Sequence, residues 1–483
     1  SNIRSLRKKL GIRPSVFRVD TLAGEVPAKT NYLYLTYNGA HHDVDPLGKQ
    51  GVMVLGSGPY RIGSSVEFDW TCVNTALALK KYHKKSIIIN CNPETVSTDY
   101  DMSDRLYFEE LTFESVTDIY EFEKSQGVIA SVGGQAPHNI LQKLAGEGVH
   151  ILGTQPKQID MVEDRTKFSA LCDDLGIQQP SWRKVNSMKD AVVFATKVKF
   201  PVLIRPSYVL SGAAMSVCNT AEELETYITK ATILGKEHPI AISKFFMYAK
   251  EIELDGVAQN GEILVSALSE HVEDAGVHSG DASIIYPAQR VYLLTEKRIM
   301  TNAEKLVKKL NITGPFNMQF LGLSSDVFII EMNARASRTF PFISRGTSHN
   351  FARTIVDAYY NNGKKVQILP PEHVLVKAAQ FSFAKLNGAD PVLHVEMSST
   401  GEAAAFGDDV YEAFYKAILS VGERAPRIGV FLTVNGMENK MSIFTTAFRL
   451  KQIGIPIFAT ANTHKFLKSI GVHTRVIHKI QEN

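Results

Sequence analysis

Short apolar runs that alternate with helix-like stretches constrain the fold of this 483-residue chain more than any other feature. The runs are GVMVLG (51–56), SIIIN (86–90), GVIASVGG (127–134) and HILGT (150–154). Apolar strands separated by helices are typical of a doubly wound, mostly parallel sheet with helices on its faces. We therefore predict an α/β domain that ends near residue 155.

The pattern becomes mixed from 156 to about 362, where helical stretches frame longer alternating runs. The dipeptide Asn260-Gly261 lies between two such runs and is typical of a tight hairpin. The segment 317–333 predicts a second hairpin. These signals predict an α+β domain, an antiparallel sheet with helices on one side.

The remaining segments have weaker signals. Residues 1–50 are rich in turn residues and resemble the tail of a preceding region. Residues 363–425 carry turn residues and a predicted helix near 409–421. Residues 426–483 predict three short strands with two helices, a thin sheet for a complete domain, so we expect this last domain to be truncated.

Charge and targeting signals exclude several classes of function. Lys plus Arg number 53 and Asp plus Glu 50, a net charge of +3, which argues against a general nucleic-acid or membrane-surface binder. No apolar stretch is long enough for a membrane span, and the basic N-terminus lacks the apolar core of a secretory signal. The four cysteines form no CxxC pair, which favours a reducing compartment.

The strongest candidate site lies at the second predicted hairpin. Glu331 and Asn333 are two residues apart on a strand and share a face, and Gln319 on the other strand could face them. Carboxylate and amide oxygens suit Mg²⁺ that also holds nucleotide phosphates. Arg335 and Arg338 follow, placed to neutralise an anion or a phosphoryl group. An ordinary polar strand end is the alternative interpretation.

Two polar loops are further candidates. The loop 205–217 opens with Arg205 and contains small residues, so it could close over phosphates; a plain hairpin tip is the alternative. The loop 269–281 is too polar for a core strand. Its histidines, His271 and His278, lack the neighbouring cysteines of a tidy zinc site. A loop for a nucleotide or a monovalent cation and a solvated polar loop both stay open.

Five long motifs resemble one known family. GSGPYRIGSSVEFDW, NCNPETVSTDYD, RPSYVLSGAAM, EHVEDAGVHSGD and IIEMNARASR are similar to the large subunit of carbamoyl phosphate synthetase, and the likeness runs from about residue 30 to the end. The resemblance implies an ATP-grasp fold at 156–362, preceded by a Rossmann-like pre-ATP-grasp domain at 51–155. It also implies the end of an oligomerisation region or linker at 1–50 and a connecting segment at 363–425. The start of a methylglyoxal-synthase-like regulatory domain is implied at 426–483.

The family's large subunit holds two homologous halves, and this chain resembles the second, which phosphorylates carbamate. The resemblance thus implies a ligase that uses ATP and carbamate. The bicarbonate-phosphorylating half and the glutaminase are absent from this sequence and are the implied partners, in a parent enzyme that is a homo-oligomer. Its eukaryote-like motifs favour a cytoplasmic enzyme of pyrimidine synthesis, with a mitochondrial location and an arginine or urea pathway left open.

The resemblance also implies site residues. They are Arg165 and Arg205 for the ATP phosphates; Lys244, Phe246 and Glu251 for adenine and ribose; Gly276, Val277, His278 and Ser279 for the nucleotide-side loop; Gln319, Glu331 and Asn333 for Mg²⁺ or Mn²⁺; and Arg335 and Arg338, with Arg165, for catalysis. A potassium site is implied at His271, Glu273 and Val277. Family members vary in residue type at the positions of Lys244 and Phe246, so the role of these two residues stays open.

Two other functions stay open. The chain could act mainly as a regulatory or assembly fragment that is inactive alone, because its C-terminal end resembles an effector-binding domain. It could also be another ATP-grasp carboxylase, such as a biotin-dependent one, although no carboxylase signature occurs in the sequence. Carbamate decomposes readily in water, so the first function predicts a closing lid, and the loop 207–217 is the candidate.

Overall fold

The computed structural model describes residues 2–60, 66–185, 187–206, 215–234, 240–369, 371–385, 388, 392–393, 395 and 397–478. The chain divides into two units, 1–417 and 418–483, each of which is treated by itself. No helix among the described residues is long and apolar enough to cross a membrane.

A six-stranded sheet with the order β1-β2-β5-β4-β3-β6 forms the N-terminal part of the first unit. Its strands are β1 (Ser15–Arg18), β2 (Tyr32–Thr36), β3 (Gly51–Leu55), β4 (Lys85–Ile89), β5 (Arg105–Tyr107) and β6 (Val128–Ile129). Its helices are α1 (Asn2–Lys9), α2 (Glu67–Ala78), α3 (Phe113–Glu123), α4 (Gln135–His138) and α5 (Leu141–Gly146). From β2 onward all neighbours are parallel, and every residue of β3 is buried, as a strand covered on both faces requires.

The N-terminal segment is more regular than its turn-rich sequence predicts. β1 and β2 pair antiparallel, and β2 joins the parallel sheet at β5, burying Val16 and Leu33. In front of them, α1 is tied to α3 because Arg4 and Arg7 both pair with Asp118, at 2.6 and 2.9 Å. These strands escape prediction because both are short and are joined to the rest of the sheet only through the pairing of β2 with the distant β5.

A smaller antiparallel sheet with the order β7-β10-β8-β9 follows in the chain. Its strands are β7 (Trp182–Val185), β8 (Val202–Pro206), β9 (Ser216–Cys218) and β10 (Ile240–Lys244). The helices of this region are α6 (Pro156–Glu163), α7 (Arg165–Asp174), α8 (Met188–Val198) and α9 (Ala221–Leu234). Phe194 of α8 and Leu224 of α9 are buried against Ile204 and Ile242 of the sheet, so this subdomain has its own apolar core.

The largest sheet has seven antiparallel strands in the order β15-β14-β11-β12-β13-β16-β17. They are β11 (Lys250–Gln259), β12 (Glu262–Asp274), β13 (Ile284–Tyr286), β14 (Gly314–Leu323), β15 (Asp326–Asn333), β16 (Val374–Gln380) and β17 (Gly401–Gly407). The helices α10 (Leu293–Lys309), α11 (Phe340–Gly346), α12 (Phe351–Tyr359) and α13 (Val410–Ser420) accompany it. β16 and β17 come from 363–425, where the sequence predicts only turn residues and a helix.

Both predicted hairpins are confirmed. β11 and β12 meet at Asn260 and Gly261, whose φ angles of +51° and +80° are those of a tight turn matched to the strand twist. β14 and β15 meet after Leu323, with Ser324 at φ +55°. These hairpins place the polar residues of four neighbouring strands side by side.

The C-terminal unit contains a three-stranded parallel sheet with the order β18-β19-β20. The strands are β18 (Val430–Leu432), β19 (Ile457–Ala459) and β20 (Arg475–Val476), and the helices are α14 (Met437–Ser442), α15 (Phe444–Gln452) and α16 (Ala461–Ser469). Ala447, Ile457 and Leu467 form its small core. The strands lie where the sequence predicts them, while their relation to a methylglyoxal-synthase-like domain stays a prediction.

Candidate active site

The predicted metal residues lie in one polar row across three strands. Gln319 on β14 pairs with Glu331 on β15 on one side and with Glu253 on β11 on the other. Partners directly opposite each other in a sheet share a face, so the three side chains line one surface. Gln319 Nε2 donates to Glu253 Oε1 at 3.3 Å. The row thus contains two residues predicted from the sequence, Gln319 and Glu331, and one that was not predicted, the buried Glu253.

A second row runs parallel to the first, two residues along each strand. Asp255 on β11 pairs with Asn317 on β14, which pairs with Asn333 on β15. Asn317 Nδ2 donates to Asp255 Oδ1 at 2.9 Å, and Asn333 Nδ2 donates to Glu331 Oε1 at 3.0 Å and to Asn317 Oδ1 at 3.5 Å. Asn333 therefore links the two rows at the sheet edge.

Glu253 is buried, with 2% of its surface exposed, and is paired with His271 of β12. His271 Nε2 lies 3.1 Å from Glu253 Oε1, and its Nδ1 lies 3.9 Å from Glu251. Burial alone would raise the pKa of Glu253, but the hydrogen bond and charge of His271 hold it below the ordinary value. Burial likewise opposes the charge of His271, but Glu251 and Glu253 raise its pKa. Each member of this buried pair therefore shifts the pKa of the other toward the charged form.

Asp255 has a different environment. It is fully buried and accepts hydrogen bonds from Ser337 Oγ at 2.6 Å and Thr339 Oγ1 at 2.8 Å. Burial, and after it the charge of Glu253, raises the pKa of Asp255 to about 7. The segment after β15 is thereby bound to the sheet through two hydroxyl groups.

Arg338 forms an ion network with residues far away in the sequence. Its Nε and Nη2 bind the two carboxylate oxygens of Glu67 at 3.1 and 3.0 Å, and its Nη2 lies 3.8 Å from Glu402. Glu402 also pairs with the buried Lys377 at 3.0 Å. Burial opposes the charge of Arg338, but the contacts with Glu67 raise its pKa above the ordinary value. The network connects α2 with β16 and β17.

We expect Arg338→Lys to lower the free energy of unfolding by about 2 kcal/mol, because an ammonium group cannot reproduce the two parallel hydrogen bonds to Glu67. Urea titration followed by circular dichroism measures the change. The exposed Arg345 offers a matched control, since Arg345→Lys should alter stability by no more than about 0.5 kcal/mol. Equal midpoints for the two variants would contradict the prediction.

Arg335 lies against the N-terminal sheet region. Its Nε donates to Gln135 Oε1 at 3.2 Å, and its guanidinium lies 5.8 Å from the ring centre of Phe68. Gln135 Nε2 in turn donates to Glu163 at 3.2 Å, and His138 Nδ1 lies 3.1 Å from the same carboxylate. Burial lowers the pKa of Arg335, partly offset by the charges of Glu331 and Glu163. Arg335 thus stands near Glu331, in the row of predicted metal residues.

The predicted nucleotide residues gather near β15 and the small sheet. The ring of Phe246 lies 4.8 Å from that of Phe328 on β15. Lys244 Nζ donates to the backbone carbonyls of Lys199 and Phe200 at 2.8 and 3.2 Å, so it supports the cis Phe200–Pro201 connection before β8. Arg165, at the start of α7, donates to the backbone carbonyl of Ile330.

Arg205 lies on β8 opposite Ala241, and its side chain falls outside the described part of the structure, as do residues 207–214 of the predicted lid. The lid and the phosphate role of Arg205 stay predictions.

The loop 276–279 follows β12 and approaches Arg338. Gly276 has φ +117°, and a Cβ there would lie 3.0 Å from the ring of Phe245. His278 Nδ1 accepts the backbone N–H of Gly280 at 3.0 Å. Burial lowers the pKa of His278, and Arg338 is among the charges that act on it. Val277 and Ser279 lie in the same loop, which therefore borders the ion network of Arg338.

The potassium residues implied by the resemblance make different contacts in the structure. His271 faces Glu251 and Glu253, whereas Glu273 accepts hydrogen bonds from Ser283 N at 2.7 Å and Ser283 Oγ at 3.0 Å. The potassium site stays a prediction.

Sequence reasoning missed the buried groups behind the predicted ligands. These are the buried Glu67, Glu253, Asp255, Ser337, Thr339 and Lys377, together with the half-buried Glu402. One signal was available for two of them, because EIELD (251–255) alternates acids with apolar residues, so its acids share one strand face. Lys377 and Glu402 carry no comparable signal, since each stands alone in its strand.

The side chains present fit a divalent cation. Glu331 supplies a carboxylate, and the amides of Gln319 and Asn333 supply neutral oxygens on the same face. Such an oxygen set is the one that Mg²⁺ and Mn²⁺ prefer. Arg335 lies beside this face, so its positive charge suits an anion bound together with the metal.

Two family models match the chain at the positions of these elements. The carbamoyl phosphate synthase preATP-grasp domain matches residues 48–161, and the carbamoyl-phosphate synthase L chain ATP binding domain matches residues 164–358. The second match includes β11 to β15 and so covers both polar rows.

Curated relatives are similar along almost the whole chain. The multifunctional protein pyrABCN of Emericella nidulans is 48% identical, over 98% of this chain and 21% of its own length. URA2 of Saccharomyces cerevisiae is 47% identical, over 100% and 22%. A mitochondrial carbamoyl-phosphate synthase (ammonia) of Aquarana catesbeiana is 46% identical, over 96% and 32%. The chain thus spans about a fifth to a third of the length of these relatives.

Solved structures share the fold at low identity. A biotin carboxylase from Campylobacter jejuni has a TM-score of 0.60 at 13% identity, covering 77% of this chain and 90% of its own. An N5-carboxyaminoimidazole ribonucleotide synthetase from Thermus thermophilus has a TM-score of 0.58 at 16% identity, covering 78% and 99%. At such identities the likeness shows the fold alone, and it confirms the predicted ATP-grasp architecture.

Proposed function

Because the chain belongs to the carbamoyl phosphate synthase large-chain family, we propose that it transfers the γ-phosphoryl group of ATP to carbamate. The products are carbamoyl phosphate and ADP. The observation that carries the proposal is the paired row of Gln319 and Glu331, with Asn333 beside it, on the face that borders Arg335. The assignment to carbamate rather than bicarbonate rests on the motifs NCNPETVSTDYD and GSGPYRIGSSVEFD, which resemble the second half of the family's large subunit.

The chemistry needs positioning and charge neutralisation rather than a covalent nucleophile. A carbamate oxygen forms the new bond to the γ-phosphorus while the bond to the β–γ bridging oxygen breaks, and ADP leaves. Both reactants are anions, so most of the barrier is removed by holding them together in a cationic field. Arg335 and Arg338 supply that field at the acceptor, and Arg165 is assigned to the nucleotide side.

Arg338 is suited to contact an anion through one edge only. Its Nε and Nη2 are used by Glu67, whereas Nη1 lies 2.9 Å from the sulfur of Met397, a weak acceptor. A carbamate or phosphoryl oxygen is a better acceptor for that N–H than a thioether. Glu67 therefore orients Arg338, and Nη1, which lies against Met397 and Gly280, would bind a substrate oxygen in place of its contact with Met397.

The cofactors are ATP and Mg²⁺ or Mn²⁺. Gln319, Glu331 and Asn333 would hold the metal, which when bound neutralises phosphate charge and polarises the phosphoryl group. Phe246 and Lys244 are assigned to the adenine side, Glu251 to the ribose, Arg205 to the phosphates, and the loop of Gly276, Val277, His278 and Ser279 to the nucleotide edge. A potassium ion at His271, Glu273 and Val277 belongs to the same proposal.

The length of the relatives supports a proposal about the partners of this chain. Proteins called multifunctional cover several times the length of this chain, so the bicarbonate-phosphorylating half and the glutaminase are proposed as partners within a larger oligomeric, cytoplasmic enzyme of pyrimidine synthesis. These partners supply carbamate in the forward direction. A test in the reverse direction needs neither of them.

The test is ATP formation by the 483-residue chain from carbamoyl phosphate and MgADP. A luciferase assay detects the ATP, and the Glu331→Gln variant sets the background. We expect ATP from the unaltered chain well above that background, lost when carbamoyl phosphate is replaced by inorganic phosphate. Equal signals from the two proteins would overturn the proposal and favour the regulatory or assembly role.

A further inference from the structure

Glu253 is a buried carboxylate with nitrogen donors on one of its oxygens. Its Oε1 accepts from Gln319 Nε2 and lies 3.1 Å from His271 Nε2, and its Oε2 lies 3.3 Å from Thr339 Oγ1, whose single O–H also reaches Asp255 at 2.8 Å. With 2% of its surface exposed, it has almost no contact with solvent. The carboxylate is therefore held in place from three sides by three different strands or loops.

The contacts of Glu253 decide which end of the neighbouring amide faces it. Its Oε1 lies between His271 Nε2 and Gln319 Nε2 and serves as an acceptor, whereas the two ends of a glutamine amide have nearly the same shape and differ in that one donates and the other accepts. Next to Glu253, Gln319 must present its NH₂ group. Its Oε1 then lies on the opposite side of the amide, toward the neighbouring strand and Glu331.

The second row repeats the arrangement with different residues. Asp255 accepts from Asn317 Nδ2, and the Oδ1 of Asn317 accepts from Asn333 Nδ2. In both rows an acid on β11 faces the NH₂ group of an amide on β14. The same arrangement of amide donor and acid acceptor therefore occurs in both rows.

We propose that Glu253 is a positioning residue that fixes the amide of Gln319 with its oxygen toward Glu331, as a metal ligand requires. This inference rests on the proposed function, because it presumes that Gln319 and Glu331 bind the metal of a metal–nucleotide complex. A cation can bind the oxygen of an amide but is repelled by its NH₂ group. An unoriented Gln319 would lose part of its affinity for the metal.

The test compares ADP binding with and without Mn²⁺ in the Glu253→Gln variant. Glutamine at 253 can donate or accept, so Gln319 is free to turn. We expect the strengthening of ADP binding by Mn²⁺ to fall by about tenfold or more, as when the outer partner of a metal ligand is removed. Calorimetry in Mn²⁺ and in EDTA, at constant potassium concentration, measures it. ADP binding in EDTA should not change.

Glu270 provides the matched control for loss of a buried charge. It is fully buried on β12, pairs with Ile252 and so lies on the opposite face of the sheet from Glu253. Its oxygens accept the backbone N–H groups of Gln289 and Arg290, both at 3.2 Å. Glu270→Gln should change stability but leave the effect of Mn²⁺ on ADP binding intact.

A double variant separates positioning from a merely structural role. In Glu253→Gln with Gln319→Glu, the residue at 319 has an acceptor oxygen at both ends and needs no orientation, so the Mn²⁺ effect should return. Glu253→Gln with an unchanged Mn²⁺ effect, or a folded double variant without recovery, would overturn the inference. Unaltered protein that binds ADP equally with and without Mn²⁺ would overturn the proposed metal site first, and this inference with it.

The orientation of the Gln319 amide can still be determined if a variant does not fold. If Glu253→Gln is unstable, the double variant decides, because it keeps one carboxylate in the pair. If both are unstable, neutron diffraction from deuterated crystals of the unaltered protein shows the amide directly. Deuterons on the Gln319 atom that faces Glu253 are expected, and deuterons on the atom that faces Glu331 would overturn the inference.

Discussion

Exchange of Glu331 for glutamine is expected to lower the rate of ATP formation from carbamoyl phosphate and MgADP by about a hundredfold or more. Glutamine keeps the shape of the side chain but removes its negative charge. Glu331 is the only carboxylate among the three proposed metal ligands, so the variant would have to hold a divalent cation with neutral oxygens alone. Initial rates in the luciferase assay at saturating MgADP measure the loss.

The same hairpin offers a control for this exchange. Asp326 begins β15 on an exposed edge, 4.0 Å from Arg298, and contacts none of the proposed ligands. Asp326→Asn makes the same acid-to-amide change and should keep the rate within about twofold, as exposed ion pairs contribute little. Glu331→Gln that keeps more than about a tenth of the activity would contradict the metal assignment.

Gly133→Ala is expected to cost about 3 kcal/mol of stability, the largest effect on folding that we predict. Gly133 lies in the loop after β6, where the chain passes close to the end of β3. A Cβ at this position would lie 2.3 Å from the carbonyl oxygen of Gly56 and 2.5 Å from that of Leu55. Both atoms belong to the backbone, which cannot turn away as a side chain can. Urea unfolding followed by tryptophan fluorescence, which includes Trp70 of α2, measures the loss.

Gly146 is the matched control, because it ends α5 and a Cβ there would meet nothing within 4 Å. Gly146→Ala should leave the unfolding midpoint unchanged or raise it slightly, since alanine restricts the unfolded chain. If Gly133→Ala unfolds at the same urea concentration as Gly146→Ala, the close approach of the two backbone segments is contradicted.

Local signals predicted the parts of the fold that depend on near neighbours. The positive φ angles of Asn260 and Gly261 are properties of those residue types, so the β11–β12 hairpin could be predicted from two letters. β2 and β17 could not be predicted in this way. β2 is short and joins the parallel sheet through β5, far along the chain, and β17 is only partly buried, in a sequence without apolar–polar alternation.

The candidate site shows the same difference between local contacts and contacts that are distant in the sequence. Gln319, Glu331 and Asn333 could be predicted because strand alternation and one hairpin bring them together. The pairing of Arg338 with Glu67 joins residues 271 positions apart, and nothing near either residue indicates it. Glu253 is an intermediate case, since the alternation in β11 shows its face but not that β14 would become its neighbour.

The two short N-terminal strands have a consequence for shortened versions of the chain. The family model begins at residue 48, whereas Leu33 of β2 is hydrogen-bonded into the sheet beside Tyr107 of β5. A chain cut at residue 48 would leave β5 as an open edge, and open edges recruit strands from other molecules. Such a fragment would tend to self-associate and aggregate. A well-behaved fragment should therefore start before Ser15, upstream of both edge strands.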